Sequence, residues 1–164
     1  MRVYHGMSQL EEMTVEVQHR FTAQPERVWD LLSDVERMAG LGPEHVEAHW
    51  DGPGPELGAR FSGRNVRDGR DWTVTCLVVS CDRPTRFGWI VGDPDEPSSR
   101  WLYELEADGD GTLVTQRFQH GPGFTYLRRA IEKYPERAAE FSKDRATVLA
   151  ANMRASLVAA DALL

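Results

Sequence analysis

Nowhere in the 164 residues does an apolar run approach the ~18 consecutive residues that a membrane-spanning helix needs. The opening stretch, MRVYHGMSQLEEM, has neither an apolar core nor a small-residue cleavage site. No secretion signal is read there, and a cytoplasmic location is the expectation. Positive charge is in deficit: 19 Lys and Arg face 26 Asp and Glu, a formal net charge of −7. Binding a phosphate backbone takes a concentrated positive field, so nucleic acid is not an expected partner. Cysteine is scarce: Cys76 and Cys81 are the only two. Strict alternation along a strand sends residues five apart to opposite faces, which argues against a disulfide between them and leaves both as small core hydrophobes. Internal repeats, low-complexity tracts and interdomain linkers are missing. So are a Ser/His/Asp ordering and a paired-carboxylate arrangement. Gly52, Gly54 and Gly58 are interrupted by prolines with no helix start behind them, so they do not form a phosphate cradle.

What is present is a globular composition, 41% hydrophobic and 27% charged, in a length that fits one domain. Residues 1–12 lack periodicity and read as a loose lead-in to a single domain over 13–164. From Met13 the chain alternates, with Val15, Val17, His19 and Phe21 on one face, which predicts a half-buried strand. Pro25 and Glu26 open a helix whose apolar stripe is Val28, Trp29, Leu31 and Leu32. A second short helix is expected from about Asp34 to Leu41, ended by Gly40, Gly42 and Pro43. Strands follow at 45–50, 58–68, 71–82, 85–93, 99–108 and 112–120. Hairpin turns are expected at Gly69–Arg70 and within Asp108-Gly109-Asp110-Gly111. After Gly121-Pro122-Gly123 the spacing is helical over 124–134. Past Pro135 one long amphipathic helix runs from Glu136 to Leu164, with Phe141, Val148, Leu149, Met153, Leu157 and Ala160 recurring at helical intervals.

The fold class is therefore α+β: a curved antiparallel sheet of about seven strands wrapped around a long C-terminal helix, with two short helices after the first strand. Only the last helix is long enough to cover the apolar face of such a sheet. A curved sheet does not close fully on a straight rod, so a pocket is expected between them. Alternation names its lining. Phe87, Trp89 and Val91 share a face, as do Trp101, Tyr103 and Leu105, and as do Thr112, Val114, Gln116, Phe118 and His120. Large aromatics with sparse polar atoms are the usual make-up of a small-molecule site. The expected ligand-binding set is Phe61, Asn65, Trp89, Trp101, Tyr103, Gln116, Phe118, Leu149 and Met153. The competing reading is that the aromatics fill a solid core.

Polar candidates are few. His120 and Tyr103 are the candidate catalytic pair, His120 removing a proton beside a ketone and Tyr103 donating to the developing enolate. Against this, His120 next to Gly121 and Pro122 reads more readily as a sheet-edge residue in water, and that is the favoured reading. His45-Val46-Glu47-Ala48-His49 superficially resembles a zinc-protease motif, but the glutamate is displaced by one and strand residues four apart sit ~13 Å from each other. No metal ion and no cofactor are expected. Arg60 is read either at the cavity mouth or in solvent, and the arginines at 64, 67 and 70 as a solvated face.

The residues Ala23, Pro25, Glu26, Val28, Trp29, Leu31, Leu32 and Asp34, following an apolar strand, resemble the opening of the START-like (SRPBCC) superfamily, in its polyketide cyclase/dehydrase and small-molecule-binding branch. The likeness continues through Gly58-Ala59-Arg60-Phe61, Trp72-Thr73-Val74, Pro84 with Phe87 and Trp89, Trp101-x-Tyr103-x-Leu105 and Gly111-Thr112-x-Val114-Thr115. It covers roughly residues 13–164. The resemblance implies a helix-grip fold with a cavity for lipids, polyketides or isoprenoids, and it brings no shared catalytic motif. Binding of a hydrophobic small molecule for transport, sequestration or presentation is the first reading. A polyketide cyclase or dehydratase using His120 and Tyr103 is the second, and a chaperone-activator-like interaction module the third. The helix at 124–134 is a candidate lid or homodimer surface.

Overall fold

The computed structural model describes Leu10 and residues 13–164. The expected lead-in at 1–12 lies outside the described residues except for Leu10, whose side chain is fully buried. Seven strands form one curved antiparallel sheet. The chain runs β1 (Thr14–Phe21), α1 (Pro25–Leu32), α2 (Val35–Met38), β2 (His45–Asp51), β3 (Arg60–Arg67), β4 (Arg70–Asp82), β5 (Arg86–Asp93), β6 (Glu96–Asp108) and β7 (Gly111–His120). It then continues through α3 (Tyr126–Lys133), a 3-10 turn (Pro135–Arg137) and α4 (Ala138–Asp161). Strand order is β1-β7-β6-β5-β4-β3-β2, so β1 crosses the sheet to pair with the last strand and the rest is a meander. This is the helix-grip architecture, with α4 lying along the inner face.

The turns are made where the backbone can adopt them. Asp68 (φ 51°) and Gly69 (φ 77°) are both left-handed, the requirement of a two-residue type I′ hairpin. Arg70 is already in β4 opposite Arg67, so the turn sits one residue earlier than expected. α2 is shorter than the sequence suggests. Asp34 caps its start by accepting from the Arg37 N–H (3.1 Å), and Ala39 turns extended at its end. α1 buries Val28, Trp29, Leu31 and Leu32, each side chain contributing roughly 1.5–3 kcal/mol on leaving water. Trp29 Nε1 donates to the Arg86 carbonyl (2.8 Å) and ties this helix to β5.

α4 packs most closely on β1, and His19 Nε2 meets Asp161 Oδ2 at 2.9 Å near its C-terminal end. Its buried stripe is Leu149, Met153, Leu157 and Ala160. Val148, expected in that stripe, is 45% exposed because it lies one helical step (about 100°) away from Leu149. α4 crosses the sheet face with its close backbone packing concentrated at one edge, which leaves room between helix and central strands.

Register shifts interrupt three strand pairs, β2–β3, β4–β5 and β5–β6, and the first two decide which neighbouring side chains face inward. In β4 the register slips between Val78 and Ser80, so Cys76, Val78 and Cys81 pair with Val91, Trp89 and Phe87, all on the inner side. The expectation that the cysteines face opposite sides is thereby corrected. Their partners stand four positions apart on β5, ~13 Å along the strand, and both thiols are free. In β2 the slip between His45 and Glu47 leaves His45 opposite Asn65 while Trp50 stays opposite Phe61. His49 faces outward and bonds Glu47 at 2.7 Å.

Candidate ligand cavity

Between the sheet and α4 the structure leaves a cavity of about 500 Å³. The aromatics do not fill it because they pack on one another along the sheet. Trp89 and Trp101 stack at 6.1 Å with 9° between planes, and Phe118 meets Trp101 edge-on at 4.9 Å. Phe61 and Tyr103 flank Trp89 at 5.9 and 5.8 Å. Register explains the row: Val78, Trp89, Trp101 and Phe118 are neighbours across four consecutive strands. The result is an aromatic wall, and the reading of a solid core does not hold.

All nine residues expected to bind ligand lie on the cavity lining: Phe61, Asn65, Trp89, Trp101, Tyr103, Gln116, Phe118, Leu149 and Met153. Arg60 instead faces solvent. Tyr103 and Gln116 are directly opposite each other. Burial pushes the Tyr103 phenol well above its ordinary range, so it is a hydrogen-bond donor rather than a phenolate. Gln116 is only 5% exposed, and its Oε1 has no hydrogen-bond partner.

His120 also lines the cavity, and at 2% exposure it is not the solvated edge residue of the competing reading. Its ring is engaged on both sides: Nδ1–H donates to the Gly121 carbonyl (2.7 Å), and Nε2 pairs with the Thr125 hydroxyl (2.7 Å). Thr125 caps α3, its oxygen accepting from the Arg128 N–H (3.0 Å). Arg128 returns to the loop, donating to the carbonyls of Gly123 (3.0 Å) and Gly121 (2.8 Å). Gly121 and Gly123 run so close to the backbone of residues 96–98 that a Cβ at either would collide with it. This clasp fixes Phe124, Thr125, Tyr126 and Leu127 at the cavity edge. There Tyr126 meets Trp72 at 5.2 Å and carries the Arg70 guanidinium 4.5 Å above its ring.

His120 lies opposite Ser99, and Gln116 opposite Tyr103. The two candidate catalytic residues are thus four ladder positions apart, roughly 13 Å along the strands at the backbone.

One end of the cavity is polar in a way the sequence reading missed. Arg145 on α4 makes a bidentate pair with Glu44 (2.6 and 2.9 Å). Arg67 stands 3.9 Å from the same carboxylate. Burial, and then the charge of Arg145, push Arg67 below its ordinary value. His45 lies beside them, pushed down by burial against a hydrogen bond with Asn65 that pulls it up. The expected run of solvated arginines is therefore split. Arg64 does point outward, to Asp71 (3.0 and 2.7 Å), but Arg67 points inward. The alternation that selected Phe61 and Asn65 reaches Arg67 two residues later, and Arg145 precedes Leu149 by one helical turn, so both were within reach of the pattern. Glu44 and His45 sit at a loop end and a bulge, where no periodicity points. Among the described residues no group of three or more His, Cys, Asp or Glu is placed to hold a metal ion. No helix among them is long and apolar enough to cross a membrane.

Residues 12–157 match the family model described as polyketide cyclase/dehydrase and lipid transport. No functionally curated protein matches the sequence. Among solved structures, the polyketide-cyclase-like protein Cgl2372 from Corynebacterium glutamicum is 28% identical with a TM-score of 0.65, over 91% of this chain and 89% of that one. TTHA0849 from Thermus thermophilus is 16% identical with a TM-score of 0.66, over 90% and 94% of the two chains. The di-domain ARO/CYC StfQ from the steffimycin biosynthetic pathway superposes with a TM-score of 0.71 at 14% identity, over 94% of this chain and 52% of its own. The last two likenesses are of fold alone.

Proposed function

The chain belongs to the polyketide cyclase/dehydrase and lipid transport family, and from that premise we propose that it binds a hydrophobic small molecule inside the cavity, for transport, sequestration or presentation. The observation that carries this reading is the 500 Å³ space walled by Trp89, Trp101, Phe61 and Phe118, whose lining is mostly apolar surface. Its size lies within the usual range of ligand sites and favours a small-molecule role over a pure interaction module. Burying ~300 Å² of apolar ligand surface at about 25 cal/mol per Å² supplies roughly 7 kcal/mol before the losses of association. No chemical step is needed.

Two observations favour binding over a cyclase that uses His120 and Tyr103. Their backbones stand four ladder positions apart, which works against both side chains serving one ketone and its neighbouring carbon. Both ring nitrogens of His120 are committed to the clasp.

The test is a fluorescence titration with the neutral apolar probe N-phenyl-1-naphthylamine, beside native mass spectrometry and extraction of whatever co-purifies. Probe emission should rise on binding and tryptophan emission should change with it, because Trp89 and Trp101 line the site. Leu149→Trp, which narrows the space, should weaken both. Absence of any probe binding to ligand-stripped, folded protein refutes the proposal.

A further inference from the structure

The polar end of the cavity holds one positive charge that no described side chain neutralises. Arg145 takes both oxygens of Glu44, at 2.6 and 2.9 Å. Arg67 is left with a 3.9 Å approach to one of those oxygens and with the ring of Trp72, 5.7 Å from its guanidinium carbon. Neither is a hydrogen bond. Yet the Arg67 side chain is only 18% exposed and lines the cavity, with N–H donors that no carboxylate fully takes up. Asp68 and Arg70, which follow in the hairpin, act on Arg67 with opposite signs. Two arginines against one carboxylate leave a net charge of +1 at this end.

A partly desolvated guanidinium without an acceptor is an unfinished ion pair. What completes it must be an anion that reaches the cavity, and one uncompensated arginine matches one negative charge. Behind Arg67 the lining passes Asn65 and His45 and then turns apolar along β3 at Phe61 and the stacked tryptophans. Along α4 it runs from Arg145 to Met153, eight residues or ~12 Å. A charged end and an apolar wall of that length describe an elongated amphiphile.

Resting on the small-molecule reading above and narrowing it, we propose that the cavity takes a monocarboxylic acid with its carboxylate paired to Arg67 and its apolar body along the aromatic wall. Carboxylate is favoured over phosphate because a dianion would leave a negative charge unpaired beside Glu44.

Displacement of N-phenyl-1-naphthylamine tests this at pH 8 with dodecanoate, 1-dodecanol and dodecyl phosphate. A charge-assisted hydrogen bond predicts that dodecanoate displaces the probe at a concentration roughly ten- to a hundredfold lower than 1-dodecanol. Arg67→Gln should bring the two midpoints together by weakening dodecanoate and leaving 1-dodecanol unchanged. Glu44→Gln, which raises the local charge, should widen the gap. A merely structural role for either residue would not give opposite signs. Equal displacement by dodecanoate and 1-dodecanol, or a preference that survives Arg67→Gln, overturns the acid assignment and leaves the cavity reading intact. Preference for dodecyl phosphate over dodecanoate also overturns it. Failure of the probe to bind at all removes the cavity reading, and this inference with it.

Discussion

Replacing Gln116 by Leu should make the ligand-free protein more stable. Gln116 sits at the middle of β7, opposite Tyr103 on one side and Val17 on the other. Its side chain is almost wholly withdrawn from water, at 5% exposure, and Oε1 accepts no hydrogen bond. A buried acceptor left unmatched costs about 1–3 kcal/mol. Leucine is close in volume, has no polar atom to satisfy, and faces a cavity that accommodates its branch. The β7 ladder bonds are made by the backbone and are unchanged. The net expectation is a gain of about 1–2 kcal/mol, which for a domain of this size raises Tm by roughly 2–8 °C. Thermal unfolding followed by circular dichroism, on protein stripped of co-purifying ligand, measures it. Urea unfolding with an unchanged m-value confirms that the native state, not the denatured ensemble, has shifted. A loss of 1 kcal/mol or more would refute the reasoning, since it would mean that Oε1 is satisfied in solution. A gain would show that the chain carries at this position a group that the empty fold does not use.

Three further outcomes follow from the same structure. His45 is held below its ordinary value of about 6.5, so between the two values the unfolded chain binds the proton and the folded one does not. Stability should fall as pH drops below about 6.5, and His45→Gln should lessen that fall in urea titrations; an identical pH profile in the variant rejects it. Burial pushes the Cys76 thiol up to about 12, leaving roughly a thousandfold less thiolate than in a free cysteine. Iodoacetamide at pH 8 should therefore label Cys76 only after unfolding, as read by peptide mass spectrometry, and rapid native labelling counts against the buried placement. Thr125→Val removes the α3 cap and the partner of His120 Nε2, so it should cost about 2 kcal/mol, whereas Thr125→Ser should cost much less. Equal stability of the two variants in denaturant melts would show that the clasp is not holding the loop.

How much of this could be read beforehand depended on whether a side chain's direction followed from counting. In β7 alternation never breaks: Thr112, Val114, Gln116, Phe118 and His120 are all buried, so the face assigned by counting held, while the favoured reading of His120 as a solvated edge residue failed. In β4 the extra residue near Val79 turns the count over, and the direction assigned to Cys81 relative to Cys76 failed for that reason alone. A bulge inserts one residue without altering composition or hydrophobicity, so single-sequence periodicity has no means of detecting it. The lengths of α2 and α4 were misjudged at their ends for a related cause. Capping and a 3-10 turn are set by backbone geometry at Ala39 and Pro135–Arg137, after the apolar stripe has stopped giving information.

The site divides along the same line, and the division bears on what the protein selects. The aromatic wall is one row across adjacent strands, so register alone assembles it, and any member of this fold with large side chains in those rows would form a similar surface. Its preference is for apolar matter in general. The polar end draws Glu44 from a loop, Arg67 from the tip of a hairpin and Arg145 from a helix, positions that no local pattern links. Long-range packing alone brings them together, and only there does the cavity carry a charge that could tell one apolar molecule from another. Discrimination should thus reside in Glu44, Arg67 and Arg145, whose meeting no single element's pattern foretells. Substitutions along the wall, such as Trp101→Phe, should change affinity for acids and alcohols alike, whereas substitutions at Arg67 should change the ratio between them. The reverse pattern in the displacement assay would place selectivity in the shape of the aromatic wall and leave the charged end a structural strut.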